Sequence, residues 1–143
     1  MDAKISYLFP FMRLGEHKGY LSPVLTYECD TLPVKTSLDI AFYFLCLKSN
    51  EEYRLWFDIK FAGKSLIDDS WDRTKVFQAE DPQSKPNEIA VGLNANLPLI
   101  PFDDEGIYEI EAKLFSASFP TSELSVNRAF FKVKRKELKP NDG

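Results

Sequence analysis

The chain has 143 residues, with 18 Lys and Arg against 22 Asp and Glu for a net charge of −4, and 44% of its residues are hydrophobic. That length suits one domain with a buried core, and the composition excludes a disordered chain, a collagen-like repeat and a disulfide-stapled miniprotein. Mild acidity works against non-specific phosphate binding, and a single histidine, His17, removes most histidine-based catalysis and metal chemistry.

Taken in chain order, Lys4 to Phe9 and Tyr20 to Cys29 read as short strands, parted by the glycine-bounded turn Gly15-Glu16-His17-Lys18-Gly19. Leu38 to Leu47 is apolar on both faces after Asp39. Its Ile40, Phe42, Tyr43 and Phe44 favour a strand covered on both sides, or one whose outer face meets a partner. Tyr53 to Phe61 alternates cleanly: Tyr53, Leu55, Phe57, Ile59 and Phe61 share one face, and Arg54, Trp56, Asp58 and Lys60 share the other. Ala62-Gly63-Lys64 reads as a hairpin turn, and Trp71 to Gln78 as a weaker strand.

Gln78 to Asn87, with Pro82 and Pro86, is the longest loop. Glu88 to Leu97 alternates again, and Pro98 and Pro101 are expected to end that strand. Ile107 to Phe115 sets Tyr108, Ile110, Ala112 and Leu114 against Glu109, Glu111 and Lys113. Leu124 to Lys134 changes register between Val126 and Ala129, which predicts a bulge near Arg128. Seven to nine such strands, with turns every 8 to 12 residues or so, predict an all-β antiparallel sandwich. Residues 1–136 form its single domain, and 137–143 a polar tail.

Asp104-Glu105-Gly106-Ile107-Tyr108-Glu109-Ile110 resembles the D-x-G-x-Y-x-C stretch of immunoglobulin-like domains. The resemblance implies an immunoglobulin-like sandwich over residues 36–134, with Tyr108 as the corner tyrosine whose hydroxyl bonds back to backbone. It implies that Gly106 permits the turn and that Trp56 is the core tryptophan, although alternation places Trp56 with Arg54 and Asp58. Ile110 stands where antibody-type domains keep their second cysteine. The layout also resembles small bacterial or phage sandwich proteins, a likeness that carries no activity.

Candidate chemistry is sparse. Gly63-Lys64-Ser65 lacks the first glycine and the helix of a phosphate-binding loop. Asp68, Asp69 and Asp72, Asp103 to Glu105, and Glu109 with Glu111 read as solvated charge, as does the basic run Lys132, Lys134, Arg135, Lys136 and Lys139. Cys29 and Cys46 have neither zinc nor redox spacing and suit reduced thiols in the cytoplasm. The longest apolar run, eight residues, is far too short to span a bilayer, and the N-terminal run is broken by Pro10 too soon for a signal peptide.

The expectation is therefore a non-enzymatic protein-interaction module of bacterial or phage type, with a protein partner or self-association and with no cofactor, metal, nucleic acid or membrane. Phe119, Pro120, Trp56 and Trp71 are its candidate binding residues. A carbohydrate or small-ligand module stacking on exposed Trp56 or Trp71 is the alternative.

Overall fold

Period-two alternation buries one face of each strand, so these segments can be satisfied only by packing sheet against sheet. The computed structural model describes residues 2–13, 21–68 and 73–137, and over them the chain is all-β, with ten strands in two sheets and no helix. These are β1 (Lys4–Arg13), β2 (Leu21–Pro23), β3 (Thr26–Cys29), β4 (Val34–Leu47) and β5 (Glu52–Phe61) in the first half. The second half contributes β6 (Lys64–Ser65), β7 (Thr74–Gln78), β8 (Ile89–Phe102), β9 (Gly106–Ser116) and β10 (Phe119–Arg135). One sheet runs β2-β1-β4-β8; the other runs β3-β10-β9-β5-β6, with β7 also on β5.

The inward faces meet in one core. Leu38, Ile40, Phe42 and Phe44 of β4 lie opposite Leu55, Phe57 and Ile59 of β5, and the Phe42 and Phe57 rings touch at 5.5 Å between centroids. Burying each such side chain contributes about 1.5–3 kcal/mol. The apolar outer face of β4 is also explained: the rings of Tyr7 and Phe9 lie against Tyr43 at 4.9 and 6.0 Å, over buried Ala41.

Tyr108 is fully buried among Phe61, Phe102 and Phe131, and its hydroxyl donates to the Asp104 carbonyl at 2.7 Å. Gly106 has φ +147°, and a Cβ there would meet the Phe61 ring at 2.9 Å, so the corner requires glycine. Ala62 and Gly63, both at positive φ, close the β5–β6 hairpin.

Several expectations change. The Tyr20–Cys29 run splits at Val24 and Leu25: the Val24 N–H donates to the Pro10 carbonyl, the Lys132 N–H to that of Leu25, and the chain passes from one sheet to the other. This split and the two-residue β6 raise the strand count above nine. β3 pairs with β10 in parallel, whereas the other pairings are antiparallel. Pro98 and Pro101 do not end their strand. β8 runs on to Phe102 because it is a sheet edge, where a missing N–H breaks no inner ladder. No bulge occurs at Arg128; the shifts fall between Phe119 and Ser125, and Val126 simply faces outward.

Candidate functional site

Where Leu25 hands the chain across, β3 faces the ends of β1 and β4 and leaves a cavity of about 490 Å³. Three rings wall it: Phe11, Tyr27 and Phe102. Glu28 and Asp39 bring carboxylates, Thr26, Thr36 and Ser37 bring hydroxyls, and no Lys or Arg is among the lining residues whose side chains are described. The Asp39 carboxylate accepts one hydrogen bond, from Asn96 Nδ2 at 2.8 Å, and has no cation beside it among the described residues. Glu28 lies 3.4 Å from Lys134 Nζ, an exposed pair worth little.

Tyr27 packs edge-on against Phe131 at 5.3 Å and against Phe102 at 5.7 Å. Its hydroxyl oxygen is buried and has no hydrogen-bond partner among the described residues, a standing cost of about 1–3 kcal/mol. Burial, and then the Asp39 charge, push its pKa far above the usual tyrosine value, so it remains a hydroxyl. Burial and the neighbouring Asp30 likewise push the Cys29 thiol up, which keeps it protonated and poorly nucleophilic.

The basic end of β10 flanks this cavity. Lys132 pairs with Thr26, Lys134 with Glu28 and Arg135 with Cys29, and the Lys136 N–H donates to the Cys29 carbonyl at 2.8 Å. Lys132, Arg135 and Lys136 of the basic run are exposed, as expected of solvated charge, on a strand held between β3 and β9; Lys139 lies outside the described residues.

Carboxylates on the outer face of the six-stranded sheet are held differently. Glu111, buried, accepts from Arg128 Nη2 at 2.7 Å and from Lys60 Nζ at 3.3 Å. Burial alone would raise its pKa, but the hydrogen bonds and charges of Lys60 and Arg128 outweigh it and hold the carboxyl below the ordinary range. Glu109 meets Arg128 Nε at 3.5 Å. Asp58, also buried, accepts from Ser65 Oγ at 2.5 Å and from the Ile59 N–H at 2.9 Å, and lies 3.3 Å from Arg73 Nη1.

Trp56 is on this outer face, half-buried, with Lys113 Nζ 5.0 Å and Arg73 Cζ 5.9 Å from its ring. It is not a core tryptophan, and its ring is engaged by two cations. Phe119 opens β10 and is 71% exposed, at a cavity it shares with Cys46, Tyr53 and Ser116, away from Trp56. Pro120 lies within β10, but its side chain lies outside what is described, as do Trp71, His17, Asp69 and Asp72 altogether. Of the predicted binding residues, the two whose side chains are described, Phe119 and Trp56, do not come together. The residues missed were Tyr27, Glu28 and Asp39; Asp39, the charge that opens the long apolar run Ile40 to Leu47, was the available signal.

No protein-family model matches the chain, and no curated protein does. Among solved structures, 93% of the chain is similar to part of Pseudomonas fluorescens alkylpurine DNA glycosylase AlkC, bound to DNA containing an abasic site analog. Identity is 11%, the TM-score is 0.46, and the match covers 30% of that chain. Against that neighbour, an enzyme bound to DNA, the expectations of a non-enzymatic protein-interaction or tryptophan-based ligand module, of protein or self-association as the partner, and of no nucleic acid are withdrawn. Those expectations rested on missing catalytic residues, on a charge averaged over the whole chain, and on the aromatic surplus and doubly apolar Leu38 to Leu47, whose outer face is met within the chain by Tyr7 and Phe9. A likeness of this size gives this chain no activity of its own. Among the described residues no helix is long and apolar enough to cross a membrane.

Proposed function

We propose that the cavity beside β3 binds a small organic cation. The observation that carries this reading is the lining: the carboxylates of Glu28 and Asp39 beside the half-buried Tyr27 ring, with Phe11 and Phe102 buried behind it and no Lys or Arg among the lining residues whose side chains are described. Carboxylate charge and ring faces both attract an ammonium or guanidinium, the rings by about 0.5–2 kcal/mol depending on desolvation. Asp39 is the anchor, because one neutral amide leaves its charge uncompensated.

Calorimetric titration with choline and with its neutral isostere, carbon in place of nitrogen, tests the reading. The cation is expected to bind and the isostere to bind at least tenfold more weakly, with Asp39→Asn erasing the difference. Equal binding of the two, or binding of neither, contradicts it.

Two further readings belong here. The Tyr108 to Asp104 hydrogen bond supports the immunoglobulin-like resemblance of the sandwich. Cys29 and Cys46, both free thiols, support a reducing compartment such as the cytoplasm.

A further inference from the structure

Strand register sets a track of side chains across the outer face of the six-stranded sheet. Trp56 of β5 lies opposite Lys113 of β9, and Glu111 of β9 lies opposite Arg128 of β10. Arg128, Phe130 and Lys132 take alternate positions of β10, on the face away from buried Phe131 and Val133. With Arg54 two residues before Trp56, the diagonal order is Arg54, Trp56, Lys113, Arg128, Phe130, Lys132, cations interleaved with rings. Phe130 is 55% exposed. Arg54 and Lys132 are exposed and have no ion pair among the described residues.

Carboxylates on this face are recessed beneath the cations. The side chains of Asp58 and Glu111 are 5% and 8% exposed, whereas that of Arg128, paired with Glu111, is 49% exposed. Such a pair turns its cation outward. Glu123, beside Lys113, is exposed at the margin of the track. The net charge of −4 is an average over the chain and not what this face presents to an approaching ligand.

We propose that this face binds single-stranded nucleic acid without sequence preference. Phe130 stacks an unpaired base, and Arg54, Lys113, Arg128 and Lys132 meet phosphates. A nucleotide chain carries one flat ring for each negative charge, which is the pattern of the track. An acidic peptide brings the charge without the rings, and a duplex keeps its bases stacked on one another. Phe130 stands two strands across and four residues along from Trp56, roughly 16 Å away by strand spacing and rise, a span that suits about four nucleotides. This site does not rest on the cation reading of the cavity beside β3.

Fluorescence anisotropy with the whole chain and a labelled oligothymidylate of about ten nucleotides tests the proposal. Binding is expected at about 50 mM salt, weakening with a log–log salt slope of about −2 to −3, near −0.7 for each phosphate met. Phe130→Ala should weaken binding about tenfold with the slope unchanged, and Phe130→Trp should restore it. Lys132→Ala should reduce the slope by about 0.7. Phe130 is already more than half exposed, so circular dichroism should show both alanine variants folded. Phe119→Ser, off the track, should bind as wild type does. Inorganic polyphosphate, which has the charge and no rings, should bind at least about tenfold more weakly than the oligonucleotide and ignore Phe130→Ala. No binding at low salt, equal affinity for polyphosphate or poly-glutamate, or full affinity in folded Phe130→Ala would each overturn the proposal.

Discussion

Two groups of carboxylates occupy strand positions in this sandwich and meet opposite fates. On the outer face of the six-stranded sheet, Glu111 is saturated by Lys60 and Arg128, and Asp58 by Ser65, Arg73 and the Ile59 backbone. Beside β3, Asp39 has one amide partner, and Glu28 one exposed lysine. Burial with full pairing makes a carboxylate a structural strut; partial exposure with a spare charge leaves it free to meet a ligand. The difference separates a group that holds the fold from one available for binding, although both are carboxylates on alternating strands.

Substitutions should expose that contrast. The largest effect is expected from Glu111→Ala, which strands two cations on the sheet. A loss of roughly 2–4 kcal/mol in chemical denaturation is anticipated, tempered because Lys60 and Arg128 are partly exposed. A loss below half of that would place Glu111 with Asp39 as a dispensable charge. Asp58→Asn removes the charge opposite Arg73 but keeps some hydrogen bonding, for roughly 1–2 kcal/mol.

The pH dependence follows from Glu111, whose folded pKa lies below the ordinary 4.5. Its contribution is present above that unfolded value and is lost as pH falls through the folded one. The stability gap between wild type and Glu111→Gln should therefore be full at neutral pH and close in acid; a constant gap would break the assignment. Asp39→Asn should change stability by less than roughly 0.5 kcal/mol, since the carboxylate is only half-buried and an amide can keep the Asn96 contact. The smallest effect is expected from Phe119→Ser, where a ring already 71% exposed has little burial to lose.

Much of the sandwich was legible because alternation is a local signal. Tyr53 to Phe61 and Ile107 to Phe115 take the faces their periodicity assigns, and Tyr108 makes the corner bond its motif implies. Trp56 shows the limit of motif against pattern: alternation put it outside, the family resemblance put it inside, and alternation was right. β8 through Pro98 and Pro101 was misread because edge position depends on the partner strands, which are remote in sequence. The cavity was illegible for the same reason. Phe11, Tyr27, Asp39 and Phe102 come from four strands, and only the crossover at Val24 and Leu25 brings them together. The parallel pairing of the basic run with β3 likewise has no local signature.

The most direct test of the contrast is a residue-resolved NMR titration of the wild-type chain with choline. Amide shifts should concentrate at Thr26 to Cys29 and Thr36 to Asp39, leave Glu109 to Lys113 unmoved, and disappear in Asp39→Asn. Shifts centred on Glu109 and Glu111, or an undiminished response in Asp39→Asn, would contradict the claim that the spare charge beside β3 is the binding group.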